Sequence, residues 1–342
     1  MYRVIVFAFV LSLLLLSVKY RCYSQDPVQR PVRLMFYNVE NLFDISDDPL
    51  TGDNDFLPGG VMKWTSGRYY RKINSLYKTI VAAGSSSPPD IVSFCEVESR
   101  KVLEDLAYGT YLAKVDYWII HEDSPDQRGI DVCLLYRADR LSLIDYRYWI
   151  PSGIKKEDYT TRSVLCARFS FRGDTFHVIL NHWPSRRGGV LAGETLRGKI
   201  SAMVREKTDS IAGSGPEGGK VIIAGDFNCT PDDNEIRSLV EHGQKRLSLT
   251  DLSGHLADEG QGTYRYRGTW EMIDQVIVSG ALLTSGKGLF TRTDMLTIFR
   301  PEFLLKKDPK YPGLSPYATY VGYRYQGGFS DHLPVLLDLG FR

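Results

Sequence analysis

The sequence has no marked excess of charge of one sign. Its 42 lysine and arginine residues are balanced by 41 aspartate and glutamate residues, which gives a formal net charge of +1. A protein that binds nucleic acid through its overall charge shows a clear basic excess, so any contact with a polyanion must come from a local patch. Hydrophobic residues at 43% and charged residues at 24% are ordinary for globular proteins and exclude a disordered or fibrous chain.

Several common catalytic signatures are also missing. The chain has no Walker A sequence, no H-E-x-x-H metalloprotease motif and no G-x-S-x-G nucleophile turn, so nothing indicates the reactions that depend on them. Residues 213–218 do match G-x-G-x-x-G. They follow a predicted helix and precede a predicted strand, however, and a dinucleotide site requires the opposite order. We therefore interpret this stretch as a linker.

Cysteine is scarce, with five residues and no C-x-x-C pair. Four of them, Cys95, Cys133, Cys166 and Cys229, lie within or beside apolar runs that resemble strands. An even number of cysteines in an exported protein permits disulfides. Their positions instead favour four small buried hydrophobic side chains, because free cysteine is among the most buried residue types.

One long apolar run is present, at residues 4–18, directly after Arg3. It is shorter than a comfortable membrane span of about 20 residues. Small residues at Cys22 and Ser24 then fit cleavage before Gln25, which is the arrangement of a secretory signal peptide. No second apolar run in the sequence approaches this length, so we expect the rest of the chain to be soluble.

We therefore divide the chain into a signal peptide at residues 1–24, an N-terminal tail at 25–30 and one domain at 31–342, and we expect export to the periplasm, the cell surface or the medium. An uncleaved N-terminal anchor is the alternative, because Lys19 and Arg21 are unusual beside a cleavage site. A lipoprotein is a further alternative. The same basic residues disfavour it, since small apolar residues are expected before a lipidated cysteine.

Strand-like runs alternate with helical segments along the rest of the chain. Strands are predicted at residues 33–37, 91–95, 117–120, 131–136, 163–169, 175–180, 220–224, 273–278 and 335–339, and helices at 67–83 and 190–211. Some strand runs alternate apolar and polar residues and others are wholly apolar, which predicts mixed sheets covered by helices. Two long loops, at 44–66 and 299–329, are expected to line a binding site, with a plain surface excursion as the alternative.

Polar and charged residues stand at the ends of five predicted strands. They are Asn38 and Glu40 after the first strand, Glu96 and Glu98 after the second, Asn181 and His182 after the sixth, Asp226 and Asn228 after the seventh, and Asp331 and His332 before the last. Each alone could cap a strand or be a satisfied polar group in the core. Burying unpaired carboxylates beside so many apolar runs is costly, so a shared metal and an anionic substrate explain the whole set best.

These residues belong to an ordered set of motifs: F-Y-N-V-E at 36–40, C-E at 95–96, N-H at 181–182, G-D-F-N at 225–228, I-D at 273–274 and S-D-H-x-P at 330–334. The set resembles the endonuclease/exonuclease/phosphatase superfamily, which includes DNase I, abasic-site endonucleases, inositol-polyphosphate 5-phosphatases and bacterial sphingomyelinases. The resemblance covers nearly the whole mature chain. It implies an α/β fold, a four-layer sandwich of two mixed β-sheets packed face to face and flanked by helices, with the site at one edge.

The resemblance also implies a metal site. Glu96 would be the main ligand, with Asn38 and Asp331 completing or orienting the site, and Glu40 matches an acidic position in part of the family. Mg²⁺ is the expected cofactor, because it prefers oxygen ligands and retains several waters. Mn²⁺ or Ca²⁺ would suit the same ligands.

Catalytic roles are implied by the resemblance in the same way. Asp226 would position or deprotonate the attacking water, and Asn228 would orient that water or a phosphate oxygen. His332 would contact the scissile phosphate and be held by Asp274, and His182 would donate to the phosphate from the other side. Beyond the motifs, we expect four residues that flank the motif strands to contact the substrate: Arg128, Arg186, Arg187 and Trp183.

The sequence therefore predicts an exported metal-dependent phosphodiesterase that uses water as nucleophile, with nucleic acid as substrate, no stable protein partner and a monomeric state. One alternative in the same enzyme class is a phosphatase, or a phospholipase of sphingomyelinase type, that acts on a smaller phosphate ester. The aromatic stretch at 311–325 would then offer a membrane contact. An alternative of another class is a binding protein on this scaffold that has lost catalysis, and the intact motif set argues against it.

Overall fold

The computed structural model describes residues 30–151, 161–186, 190–212, 219–241 and 247–342. The predicted signal peptide at 1–24 and nearly all of the predicted tail at 25–30 lie outside these residues, so both stay predictions. None of the described helices is long and apolar enough to cross a membrane.

The described residues contain six α-helices: α1 (Ser66–Ala83), α2 (Arg100–Ala107), α3 (Val190–Ala212), α4 (Asn234–Val240), α5 (Gly254–Asp258) and α6 (Gly280–Thr284). The strands are β1 (Val32–Leu42), β2 (Ile91–Val97), β3 (Tyr117–Ile120), β4 (Asp131–Arg137), β5 (Ser142–Trp149), β6 (Val164–Phe171), β7 (Asp174–His182), β8 (Lys220–Asp226), β9 (Leu249–Asp251), β10 (Tyr264–Tyr266), β11 (Thr269–Glu271), β12 (Asp274–Ser279), β13 (Leu289–Phe290), β14 (Leu296–Ile298), β15 (Leu305–Lys307), β16 (Leu314–Pro316), β17 (Tyr320–Val321), β18 (Arg324–Tyr325) and β19 (Val335–Phe341). Short 3₁₀ turns lie at Asn54–Phe56, Tyr111–Lys114, Thr293–Met295 and Glu302–Leu304.

Seven strands form the first large sheet, here named sheet A. Its strand β1 runs parallel to β2 and antiparallel to β19. Beyond β2 lie β4 and then β3, both in antiparallel pairing, and β13 and β14 both pair with β19. Because β1 and β2 are parallel, their carboxyl ends reach the same edge of the sheet. Asn38 and Glu96 lie near these two ends.

Six strands form the second large sheet, named sheet B, in the order β5-β6-β7-β8-β12-β9. The strands β7 and β8 are parallel, and their pairing aligns His182 with Asp226 at the two carboxyl ends. The next strand, β12, runs antiparallel to β8, so its first residue, Asp274, lies opposite Asp226. One edge of sheet B therefore carries the same kind of polar residues as one edge of sheet A.

Alternation along the strands produces four layers. In β1, Val32 and Leu34 join a core between the two sheets that also contains Val178 of β7. Met35, between such inward positions, belongs to a second core that packs sheet A against α1 and α2. A third core packs the outer face of sheet B against α3 and α4. The predicted four-layer α/β sandwich, with two mixed sheets face to face and helices outside, is confirmed.

All nine predicted strands are present, most of them extended by one or two residues, and both predicted helices begin and end within one residue of their expected bounds. The edge strand β5 was not predicted. Two of its apolar side chains are exposed, Ile144 at 43% and Tyr146 at 41%, and a register shift near Leu143 breaks its alternation. The stretch predicted as a loop at 299–329 contains β15 to β18, paired two by two.

The four cysteines of the domain are buried and free. Burial raises the pKa of each thiol, so all four are protonated at neutral pH: Cys95, Cys133, Cys166 and Cys229. This confirms the prediction that they serve as small hydrophobic side chains.

Candidate active site

The polar strand ends of both sheets meet at one edge of the sandwich. Asn38 in β1 donates from Nδ2 to Oδ2 of Asp226 at the end of β8, over 2.9 Å. His182, at the end of β7, has Nε2 3.8 Å from Oε1 of Glu96 and 3.9 Å from Oδ2 of Asp226. We call the group that converges here the strand-end cluster: Asn38, Glu96, His182, Asp226, Asp274 and His332.

The backbone around Glu96 adopts an unusual conformation. Glu96 has a φ of 63°, and Glu40 and Asn41 in the neighbouring strand have φ values of 51° and 54°. Such left-handed values are costly for residues other than glycine, and they concentrate at functional sites. The register of β1 against β2 shifts at this point. The shift brings the backbone N–H of Asn41 to Oε2 of Glu96, over 2.8 Å, which fixes the direction of the carboxylate.

His332 makes a short ionic contact with Asp274, 2.7 Å from Nδ1 to Oδ2. Its other nitrogen, Nε2, faces the cluster at 3.9 Å from Oδ2 of Asp226 and 4.0 Å from Oδ1 of Asp331. Burial opposes protonation of the ring, but the three carboxylates outweigh burial and raise the pKa of His332 well above its ordinary value. His332 is therefore a cation at neutral pH that presents an N–H group to the cluster.

Asp226 is the carboxylate on which the cluster converges. Burial, with the nearby charge of Asp274, raises the pKa of Asp226 to about 7. The backbone N–H of Asn228 donates to its Oδ1 over 2.9 Å. Asn228 itself has a φ of 51° and donates from Nδ2 to the carbonyl of Trp183 over 3.0 Å, which holds the turn after β8. A buried carboxylate whose pKa lies near neutrality is suited to accept a proton from water.

His182 lies in the opposite electrostatic environment. Burial lowers its pKa well below the ordinary value, and nearby positive charges, foremost that of Arg162, add to this effect. Its Nδ1 is buried and has no hydrogen-bond partner among the described residues. The ring is therefore neutral. The predicted role of His182 as a donor to the phosphate requires the tautomer that carries its proton on Nε2.

The donors of the strand-end cluster fit a hard divalent cation. Burial opposes ionisation of Glu96, but Arg128, His332 and Arg162 outweigh it and lower the pKa of that carboxyl. Glu96 and Asp226 both face His182 from within 4 Å, and His182 is neutral. Because its pKa is lowered, Glu96 keeps its negative charge at neutral pH, as a ligand for a cation must. Carboxylate oxygens are also the ligands that Mg²⁺ prefers.

Two further predicted ligands take different positions. The amide of Asn38 is already engaged, because Oδ1 accepts from the backbone N–H of Glu40 over 2.9 Å while Nδ2 donates to Asp226. Asn38 therefore orients the carboxylate of Asp226. Asp331 lies at the rim of the cluster, where its side chain is 36% exposed, and its role as a ligand stays a prediction.

Backbone donors hold the carboxylate of Glu40, whose role as a metal ligand stays a prediction. Its carboxylate oxygens accept from the backbone N–H groups of Thr319 and Tyr320, over 2.6 and 2.8 Å. Lys72 of α1, also buried, donates from Nζ to Oγ1 of Thr319 and to the carbonyl of Phe329. Glu40 and Lys72 together fasten the stretch 317–329 against sheet A. That stretch leads directly into the motif at 330–334, so Glu40 positions the cluster from outside it.

The two predicted substrate arginines that the structure describes have different surroundings. Arg128 donates to Oδ1 of Asn41, beside Glu96, so it lies at the cluster. Arg186 donates from Nε to the carbonyl of Asn228 over 3.0 Å and contacts Asp233 over 2.6 Å. It supports the turn that carries Asn228 and is already paired, which leaves Arg128 as the better-placed contact for a phosphate.

The prediction that Trp183 contacts substrate is wrong. Its side chain is 0% exposed, its ring packs against that of Phe227 with centroids 4.8 Å apart, and its Nε1 donates to Oδ1 of Asn181 over 3.0 Å. No face of the indole is free to stack on a ligand. Arg187, the remaining predicted contact, lies outside the described residues.

Sequence reasoning missed Arg162, which is 5% exposed and lies in an ion pair with Asp126, 3.1 Å from Nε to Oδ2. Its charge lowers the pKa of both Glu96 and His182. The one available signal was weak: an arginine two residues before the apolar run that forms β6. None of the motifs includes it, and its effect on both groups is electrostatic.

Comparison with known proteins agrees with this geometry. The sequence matches the model of the Endonuclease/Exonuclease/phosphatase family over residues 33–340, and the chain belongs to that family. The superfamily consists of metal-dependent phosphoesterases, nucleases and phosphatases among them. The family resemblance that the motifs indicated is thereby confirmed. No curated protein matches the sequence.

Solved structures share the fold at low sequence identity. D. rerio TDP2 in complex with a single-strand DNA product is 14% identical, with a TM-score of 0.56 over 90% of this chain and 98% of that one. The catalytic domain of human Nocturnin is 16% identical, with a TM-score of 0.55 over 91% and 95%. A mannosyl-6-phosphatase of Bacteroides thetaiotaomicron is 17% identical, with a TM-score of 0.53 over 91% and 100%. Identities this low show a common fold alone.

Proposed function

We propose that this protein is an exported, divalent-metal-dependent phosphodiesterase whose substrate is nucleic acid. The observation that carries the proposal is the convergence of Glu96, Asp226 and His332 at one edge of the sandwich. A phosphodiester is anionic, so it resists attack until its charge is neutralised. The cluster offers carboxylates for a cation and a protonated histidine for the phosphate. The likeness to D. rerio TDP2, whose structure contains a single-strand DNA product, supports nucleic acid as the substrate.

In this proposal, each residue of the site has a separate role in the hydrolysis. Glu96, with Asp331 at the rim, would hold the cation, which supplies charge neutralisation at the phosphate and the leaving oxygen. The oxygen of water attacks phosphorus, one of its protons passes to Oδ2 of Asp226, and the ester P–O bond breaks. The leaving alkoxide takes up a proton from solvent. His332, kept protonated by Asp274, donates from Nε2 to a phosphate oxygen and stabilises the charge that develops there.

A panel of phosphate esters tests the proposal. Plasmid DNA, single-stranded DNA, bis-p-nitrophenyl phosphate and p-nitrophenyl phosphate are each incubated with the mature protein in Mg²⁺, Mn²⁺ or EDTA. We expect cleavage of DNA and of the small diester in either metal and none in EDTA. The variant Asp226→Asn should lose this activity. The control Asp294→Asn, an exposed aspartate paired with Arg292, should keep it.

A phosphatase of small esters is the second candidate. The similarity to a structure titled mannosyl-6-phosphatase favours it, because that protein acts on a phosphate monoester of a sugar. In the panel, this candidate predicts turnover of p-nitrophenyl phosphate with both diesters untouched. If no substrate of the panel is hydrolysed and circular dichroism confirms the folded state, the result would instead support a binding protein that has lost catalysis.

Export rests on the N-terminal sequence and needs its own experiment. The full chain is expressed in a Gram-negative host, and the protein is recovered from periplasm, membrane and medium for mass determination of its N-terminus. Removal of residues 1–24 predicts a mature protein that begins at Gln25. Recovery of an intact N-terminus in the membrane fraction would support the uncleaved anchor and contradict export in soluble form.

A further inference from the structure

A second cavity lies far from the strand-end cluster. It has a volume of about 1060 Å³ and opens on the outer face of sheet B, where β5, β6 and β7 meet the carboxyl-terminal part of α3. We call it the basic groove. None of the residues that line it belongs to the cluster. Its volume is at the upper end of the range that holds small-molecule ligands in proteins.

The strand β7 connects the two sites and shows how far apart they are. Its first residues, including His177, line the basic groove, whereas His182 at its other end belongs to the cluster. Five positions along a strand span about 17 Å. The groove lies on the outer face of sheet B. Phe176 and Val178 point into the core between the two sheets, so His177, which lies between them in the strand, points to the outer face. A ligand in the groove therefore does not reach the cluster.

The lining of the groove is strongly basic, although the whole chain is not. Seven arginine and lysine residues and two aspartates line it, in a chain with 42 basic and 41 acidic residues. Both aspartates are paired, Asp145 with Arg168 over 2.5 Å and Asp174 with Lys220 over 2.6 Å. The other basic side chains have no carboxylate partner among the described residues: Arg147, Arg172, Lys207, Lys287 and Arg342.

These five side chains are exposed and come from separate elements. Two of them rest on aromatic rings, Arg172 with its guanidinium 5.2 Å from the centroid of Phe171 and Arg342 at 3.9 Å from that of Phe290. The rings hold the guanidinium groups in place without neutralising their charge. Cations gathered around one concavity repel each other and raise the local positive potential, which attracts an anion.

The floor of the groove has polar atoms that lack partners. Arg168 in β6 and His177 in β7 are directly opposite each other in the register of the two strands. Within the described part of the chain, Nε of Arg168 and Nδ1 of His177 are buried without any hydrogen-bond partner. Buried polar atoms are nearly always satisfied in native proteins, so the floor of the groove lacks a hydrogen-bond acceptor for Nε of Arg168.

We propose that the basic groove binds a soluble anion that carries several phosphate groups, such as a short oligophosphate. Arginine pairs with phosphate through two parallel N–H donors, and the groove offers arginines from β5, from the turn between β6 and β7 and from the carboxyl terminus. Several phosphate groups on one anion can contact more of this set than a single phosphate can, because the cations come from separate elements. A bilayer surface is broad and flat, and would touch only the rim.

Calorimetric titration of the mature protein with tripolyphosphate tests the proposal. The titration contains EDTA, so that no divalent cation bridges the anion to the strand-end cluster. The triple variant Arg147→Gln, Lys207→Gln and Lys287→Gln removes three exposed charges that make no ion pair. We expect it to weaken binding at least about tenfold, which is the ratio lost with a single good charge-assisted contact, and to leave hydrolysis of bis-p-nitrophenyl phosphate unchanged.

A matched control removes the same number of charges elsewhere. The variant Arg71→Gln, Lys78→Gln and Lys114→Gln changes exposed residues on the helical layer outside sheet A, and should bind tripolyphosphate like the wild type. Equal binding by wild type and groove variant would overturn the proposal. Titrations with a single-stranded oligonucleotide and with anionic lipid vesicles complete the test. Groove-dependent binding of either of these, without binding of tripolyphosphate, would also overturn it.

Discussion

The two histidines of the strand-end cluster lie on either side of the same carboxylate, yet their environments are opposite. Nε2 of each ring is 3.9 Å from Oδ2 of Asp226. The second nitrogen of His332 contacts Asp274 over 2.7 Å, whereas that of His182 has no partner among the described residues. The pKa of His332 is raised and that of His182 is lowered. The contact between Asp274 and His332 therefore accounts for the different charge states of the two histidines.

The largest effect is expected from replacing the charged member of the pair. His332→Gln removes the cationic donor, and we expect kcat for the small diester to fall by about 10³-fold, within the range for a positioned acid–base group. Steady-state kinetics at saturating Mg²⁺ measure this loss. A turnover within a few-fold of the wild type would show that the charge of His332 plays no part in the rate.

A smaller loss with a shift in pH dependence is expected from Asp274→Asn. Without this carboxylate the pKa of His332 falls, so the alkaline limb of log kcat against pH should move to lower pH, with kcat reduced by about 10²-fold at pH 8.

The raised pKa of His332 also makes the stability of the folded protein depend on pH. A raised pKa in the folded state contributes stability that is full below about pH 6.5 and is lost as pH rises through the raised value. The deficit of the variant in urea unfolding should therefore shrink at alkaline pH.

The variant His182→Gln tests the neutral member of the histidine pair. Because His182 is neutral across the working range, its loss removes a hydrogen-bond donor and no charge. We expect kcat to fall by about tenfold, the scale of one modest hydrogen bond. The alkaline limb should stay where it is in the wild type. A pH shift as large as that of Asp274→Asn would contradict the assignment of His182 as the neutral partner.

The least effect on kcat is expected from Lys72→Met, which acts on stability. Removing the ammonium takes away the nearby positive charge that favours ionised Glu40 and leaves Oγ1 of Thr319 and the carbonyl of Phe329 without their donor, and unsatisfied buried polar groups of this kind cost about 3 kcal/mol together. The free energy of unfolding in urea should fall by that amount, while the folded variant loses only a few-fold in kcat. Lys78→Met, an exposed change on the same helix, is the control and should leave both quantities unchanged.

The strands and the mixed character of the sheets were predictable because strand alternation is a local feature of the sequence, whereas the four-layer sandwich was implied by the family resemblance of the motifs. Two features of the site depend on contacts or directions that no motif shows. Glu40 stands in a motif, but its oxygens accept from amides 279 and 280 positions away, and no local pattern reveals such partners. Trp183 follows His182 directly. The next residue of an extended chain points to the opposite side, so one is in the cluster and the other in the outer core.

The metal requirement tests the account most directly. Protein expressed from residue 25 onward is dialysed against EDTA, and hydrolysis of bis-p-nitrophenyl phosphate is followed before and after addition of Mg²⁺, for the wild type and for Glu96→Gln. We predict no turnover in EDTA, full recovery of the wild type with Mg²⁺, and no recovery of Glu96→Gln at the same Mg²⁺ concentration. Undiminished hydrolysis in EDTA, or equal recovery of both proteins, would contradict a cation held by Glu96 at the strand-end cluster.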